Sequence, residues 1–166
     1  DGSLSAHSSD LLLTAETAAQ FLRDAECPTF TKFLNEIMAG RPELAGFVQR
    51  ALGYARTGRT NEQVLFILHG GGANGKSTLL EAVRSTLGRD FTANADTATF
   101  MGGGGRGDGS AASPNLAALQ GKRLATIFES GEGRRLDEEL VKQVTGGDPI
   151  TARRLYGAPF EFFPHF

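Results

Sequence analysis

GGGANGKS, residues 70–77, is the stretch whose reading decides the fold. It satisfies the pattern of a glycine, four residues, then Gly-Lys-Ser, in which a glycine-rich turn leads into a helix. Before it stands the apolar run VLFILH, Val64 to His69; after it Leu79, Leu80, Val83 and Leu87 recur at helical spacing ahead of Gly88. A short apolar run predicts a strand buried on both faces, as in a parallel sheet covered by helices. The recurrence predicts an amphipathic helix with a glycine stop. Strand, glycine loop and helix, in that order, are the surroundings in which the pattern binds phosphate. Average residue usage makes a chance match in a chain of this length on the order of one per cent, and the flanks lower it further.

A triphosphate needs many donors converging on a compact anion. Glycines at Gly70, Gly71, Gly72 and Gly75, with Ala73 and Asn74 between them, let backbone N–H groups approach without Cβ clashes. The helix that follows adds its positive end. Lys76 is placed to reach the β- and γ-phosphates, Ser77 to ligate Mg²⁺ and Thr78 to touch the α-phosphate, so ATP and Mg²⁺ are the expected cofactors.

Hydrolysis also needs a carboxylate at the end of a neighbouring strand, to hold the metal or polarise the attacking water. RLATIF, Arg123 to Phe128, predicts a second buried strand, and Glu129 follows it directly. With Lys76, Glu129 is the candidate catalytic residue, and with Ser77 the candidate metal ligand; Glu132 is a second carboxylate placed to share the task. The bland alternative for either glutamate is a solvated charge at a strand end. The aspartate that many P-loop enzymes carry here is absent, which leaves the division of metal and base roles open.

Around this core the chain divides into three. Residues 1–26 predict an irregular segment, small and polar at its start. Residues 27–60 predict a helical subdomain: Phe30, Phe33, Leu34, Ile37 and Met38 repeat at helical spacing, Gly40 and Pro42 interrupt, and Leu44, Phe47, Val48, Ala51 and Leu52 resume it. Two amphipathic helices joined so briefly predict an antiparallel pair. Residues 61–166 predict the phosphate-binding core, entered through the polar stretch TGRTNEQ and interrupted by a glycine-rich insertion at residues 101–114. Towards the end, Leu136, Leu140, Val141 and Val144 predict a short helix closed by Gly146 and Gly147, and ITARRLYGAPFEFFPHF predicts a β-hairpin. The fold class read from these elements is α/β with a parallel sheet.

Composition bounds what the surface does. With 40% hydrophobic and 22% charged residues the 166-residue chain can bury one real core, and its formal net charge of −2 excludes a bulk positive field. Any grip on nucleic acid must therefore come from a few placed residues, and Lys142, Arg153 and Arg154 are the candidates, acting on backbone phosphates. The single cysteine, Cys27, reads as a small buried hydrophobe. The run at Val64 to Leu68 is too short to cross a bilayer, and the reading is of a cytoplasmic protein. The chain opens at Asp1 without Met and stops in an apolar run, which reads as a piece cut at both ends.

Taken in order, CPTFTKFLNEI, ELAGFVQRALGYARTGRTNEQ, GGGANGKST, PNLAALQGKRLATIFESGEGRRLDEELVKQVTGGDPITARRLYG and FEFFP resemble the superfamily 3 helicase domain at the C-terminus of phage and plasmid primases, which is related to the poxvirus primase-helicase. The resemblance runs from about Cys27 to Phe166. It implies an AAA+-like ATPase that assembles as a ring, a hexamer, and moves along single-stranded or forked DNA during replication of a mobile element in a bacterial host or phage-infected cell. It implies that Lys76 and Ser77 are Walker A residues, that Glu129 is the Walker B acid, and that TGGDPITAR belongs to a motif bearing a DNA-contacting hairpin. In the family a sensor asparagine and an arginine finger come after FEFFP; both fall beyond Phe166, so residues 1–166 alone are expected to bind nucleotide weakly and hydrolyse it slowly or not at all. Two alternatives share the loop: a small P-loop kinase, which needs an acceptor pocket and an arginine-bearing lid, and a nucleotide-binding fragment that performs no chemistry.

Overall fold

The computed structural model describes residues 5–101, 113–128 and 135–166. Three helices come first: α1 (Pro28–Ile37), α2 (Pro42–Thr57) and α3 (Lys76–Leu87). There follow β1 (Thr92–Asn94), α4 (Pro114–Ala117), β2 (Leu124–Thr126), α5 (Glu138–Gly146), β3 (Ile150–Arg153) and β4 (Pro159–Phe162), with single 3₁₀ turns at Ser9–Leu11 and Thr97–Phe100. The architecture is mixed α/β with a small parallel sheet.

Pro28 and Pro42 each begin a helix at the position where a missing N–H costs nothing and a fixed φ is already helical. The stripes predicted along α1 and α2 meet. Leu34 and Ala45 are buried, and Phe30, Phe33, Ile37, Met38, Val48 and Leu52 close round them. The third buried member of this cluster is Leu79 of α3. The helical pair therefore shares its core with the helix that follows the glycine loop, and that contact seats the loop.

A second core lies on the sheet side, around Phe100, Leu119, Leu140, Val144, Ile150 and Phe162. Leu119, Leu140 and Ile150 are almost wholly removed from solvent, and each such side chain stabilises the fold by about 1.5–3 kcal/mol. β1 and β2 run parallel, Thr92 opposite Leu124 and Asn94 opposite Thr126. β3 and β4 form the antiparallel hairpin, Ile150 opposite Phe162 and Arg153 opposite Pro159. Ile150 and Ala152 point into the core while Thr151 faces out, the period-two alternation of a half-buried strand. Asp137 caps α5 by accepting from the N–H of Leu140 at 3.0 Å, and Gly147, at φ 81°, ends it.

Val64 to Leu68 form no strand: the segment joins no ladder, and its five side chains are 39–74% exposed. Burial on both faces requires strands alongside and helices above and below, whereas the parallel sheet among the described residues has two strands, neither beside this run. One side chain of the run, Phe66, packs edge-on against Phe47 of α2 with ring centroids 6.4 Å apart. Cys27 is exposed rather than buried, because it stands at the N-cap of α1 with Sγ 3.9 Å from the Thr31 hydroxyl. Leu136 precedes α5 instead of lying on it, bridged to Met101. The insertion predicted at residues 101–114 lies outside the described residues except at its ends. Among the described residues no helix is long and apolar enough to cross a membrane.

Candidate functional site

The loop GGGANGKS ends where α3 begins. Gly75 occupies the N-cap in the left-handed region, φ 83°, and Lys76 is the first helical residue. Gly75 faces α1: a Cβ there would lie 2.5 Å from Ile37 Cγ2 and 3.3 Å from Phe33 Cε2. Both the φ value and the close approach demand glycine at this position. The apolar stripe of α1 is thus the bed on which the loop rests, while residues 71–74 on its outer side, and Ser77 and Thr78 in the first turn, are open to solvent.

Lys76 folds back into the loop. Its ammonium donates to the carbonyls of Gly70 at 3.0 Å and Gly71 at 3.2 Å and to Asn74 Oδ1 at 2.8 Å. Three acceptors hold a cation over the positive end of a helix that has no acidic residue in its first turn and no side-chain cap. A cation near a helix N-terminus is unfavourable by about 0.3–1 kcal/mol, and the first N–H groups of a helix need acceptors from elsewhere. An anion seated at the loop mouth reverses the first and supplies the second.

The carboxylates singled out from sequence, Glu129 and Glu132, lie outside the described residues. The strand that leads towards Glu129 is present as β2, and the carbonyl of Phe128 accepts from the Thr97 hydroxyl at 2.6 Å. Near the same end of the sheet Asp96 is a carboxylate that the sequence reading passed over. Its oxygens accept from the N–H of Ala98 at 3.0 Å and from Asn115 Nδ2 at 3.2 Å, a capping role for the turn that follows. Among the described residues no three His, Cys, Asp or Glu side chains are grouped to hold a metal. A magnesium ion bound through phosphates asks for only one or two protein ligands, and the exposed hydroxyl of Ser77 on the first turn of α3 fits that requirement.

The basic candidates occupy two elements. Lys142 stands on α5, 80% exposed, with Nζ 4.0 Å from Glu138. Arg153 and Arg154 belong to the hairpin. Arg153 Nε donates to the carbonyl of Gly157 at 3.0 Å and closes the turn, and its backbone N–H donates to Ser113 Oγ at 2.9 Å, which ties the hairpin to the start of α4. Arg154 lies over the Phe160 ring, 4.7 Å from its centroid, and donates to Gln120 Oε1 at 2.7 Å.

Sequence reasoning missed Tyr156. It is fully exposed at the hairpin tip, beside Leu155 at 64%, and holds φ 59°. A tyrosine in the left-handed region costs about 1–2 kcal/mol, and this one recovers none of it by burial. Leu12, Ala39, Gln63 and Ala73 also hold positive φ, so what marks Tyr156 is its fully exposed ring at the hairpin tip. The signal in the sequence was an aromatic residue between two arginines and a glycine, within a run of β-formers.

Compared with models of protein families, the chain matches none. Compared with known proteins, it is 34% identical over 134 residues to a protein of Acanthamoeba polyphaga mimivirus described as "Putative helicase L207/L206". The match takes in 81% of this chain and 14% of the length of that relative. The chain is accordingly related to a helicase-like protein over most of its own length.

Proposed function

We propose that this chain is the nucleotide-binding part of an ATP-driven helicase motor of the superfamily 3 type found in primase-helicases. The observation that carries the reading is Lys76: a cation drawn into an exposed glycine loop at the uncapped, positive end of α3. The loop's own acceptors offset the cost of that placement, and an anion between the two would turn it into a gain. In this role the amides of residues 70–77 wrap the phosphates and Lys76 exchanges its loop acceptors for β- and γ-phosphate oxygens. Ser77 and, from its place after Phe128 in the sequence, Glu129 hold Mg²⁺, with Glu132 as a further carboxylate. The ion neutralises charge that develops on the phosphates. The relation to a protein described as a helicase supports a nucleic-acid partner, and the hairpin is the surface we assign to it: Arg153 and Arg154 would exchange their bonds to Gly157 and Gln120 for backbone phosphates, and Tyr156 is a platform on which a base stacks. Lys142 adds charge from α5. A ring of such subunits, six in this reading, completes the motor around the strand.

Fluorescence anisotropy of a labelled single-stranded oligonucleotide tests this reading against the kinase alternative. The helicase reading expects binding that weakens linearly as log salt rises, with a slope of about −0.7 for each phosphate contacted. Transfer of phosphate to a nucleoside, with no response to the oligonucleotide, would establish the kinase instead.

A further inference from the structure

A cleft of about 510 Å³ opens where the C-terminal end of α2, the start of β2, the cap of α5 and the last residues of the chain meet. Its lining includes Arg59, Arg123 and His165 together with Thr60 and Asn61, and it includes no Asp or Glu. In a chain of net charge −2, three basic side chains round one recess without a carboxylate are a local reversal of sign.

The recess is held open by specific contacts. Gly58 caps α2 at φ 67° and is buried. A Cβ there would lie 2.6 Å from Arg123 Cδ and 2.9 Å from the carbonyl of His165, so only glycine lets the two basic residues come in on either side. The Arg123 guanidinium donates to the carbonyl of Thr57 and lies over the Phe91 ring at 5.9 Å, which fixes its plane. His165 Nδ1 stands 3.2 Å from the carbonyl of Gly58. A carbonyl only accepts, so this contact puts a proton on Nδ1 and leaves Nε2 for another partner. Arg59 is exposed, and its guanidinium makes no hydrogen bond or ion pair among the described residues.

Guanidinium forks, an imidazole, a hydroxyl and an amide make a donor set suited to a phosphoryl group, whose oxygens accept from several directions at once. We propose that this cleft is a second phosphate site, separate from the loop at residues 70–77, taking either a backbone phosphate of a nucleic-acid strand or a phosphate of free nucleotide. Backbone phosphate is the source that the proposed motor would offer.

The test follows the imidazole resonances of His165 and His69 by NMR during titration with a short oligothymidylate and, separately, with ATP and Mg²⁺. His165 reports on the cleft, and His69, next to Gly70, on the loop. A His165 response that Arg59→Glu weakens at least about tenfold supports the site; the probe that elicits it identifies the source. For the oligonucleotide, the same variant should lower the salt slope by about 0.7, a change that a merely structural role for Arg59 would not produce. A His165 resonance indifferent to both probes, or a response that Arg59→Glu leaves intact, overturns the proposal. Silence of His69 towards ATP while His165 responds would instead count against the loop and leave the cleft standing.

Discussion

Lys76→Ala is expected to weaken binding of an ATP analogue by about 1.5–3 kcal/mol, roughly ten- to 150-fold, which is the contribution of one charge-assisted contact to phosphate. The fold should tolerate the change. The substitution removes three hydrogen bonds that the ammonium makes to Gly70, Gly71 and Asn74. It also removes a cation from the positive end of α3 and puts the best helix former at the first helical position. These effects oppose one another, so the thermal midpoint should move little while nucleotide affinity collapses. Titration with a fluorescent ATP analogue, paired with a melting curve, measures both. A large drop in the midpoint with affinity retained would make Lys76 a structural clip for the loop and not a phosphate ligand.

Tyr156→Ala is the second large effect. Loss of a stacking platform costs about 1–3 kcal/mol per base, about five- to 150-fold in affinity for single-stranded nucleic acid. Stability should not fall, since the side chain is fully exposed and alanine meets the same left-handed backbone, φ 59°, that tyrosine does. Tyr156→Phe should retain the affinity, because stacking uses the ring and not the hydroxyl. An oligonucleotide that binds the alanine variant as tightly as the original would remove the hairpin tip from the nucleic-acid surface.

The parts of this molecule that were legible in its sequence are those written in adjacent residues. The turn of residues 70–77, the helix after it and the stripes of α1 and α2 are local patterns, and so is the hairpin with its turn at Gly157; Pro159 does not break it but opens β4, opposite Arg153. The parallel sheet was half legible. β2 announced itself as LATIF, but β1 is Thr-Ala-Asn, three residues with no period to read, and it exists because β2 lies beside it. The run at Val64 to Leu68 misled for the converse reason: apolarity says that a segment seeks cover and not which segment covers it. Bonds between distant residues were out of reach altogether. His165 meets Gly58 across 107 positions, and Arg123 reaches Thr57 across 66. No spacing rule connects such pairs, and the basic cleft is built from them.

In the proposed function the amides of residues 70–77 wrap a triphosphate at the head of α3. Backbone ¹H–¹⁵N shifts recorded during titration with ATP and Mg²⁺ report on those amides one by one. The largest changes are predicted at Gly72 to Thr78, together with a shift of the Lys76 ammonium as it leaves the carbonyls of Gly70 and Gly71. Saturating nucleotide that leaves these amides unmoved, or that moves a different part of the chain, would contradict the account.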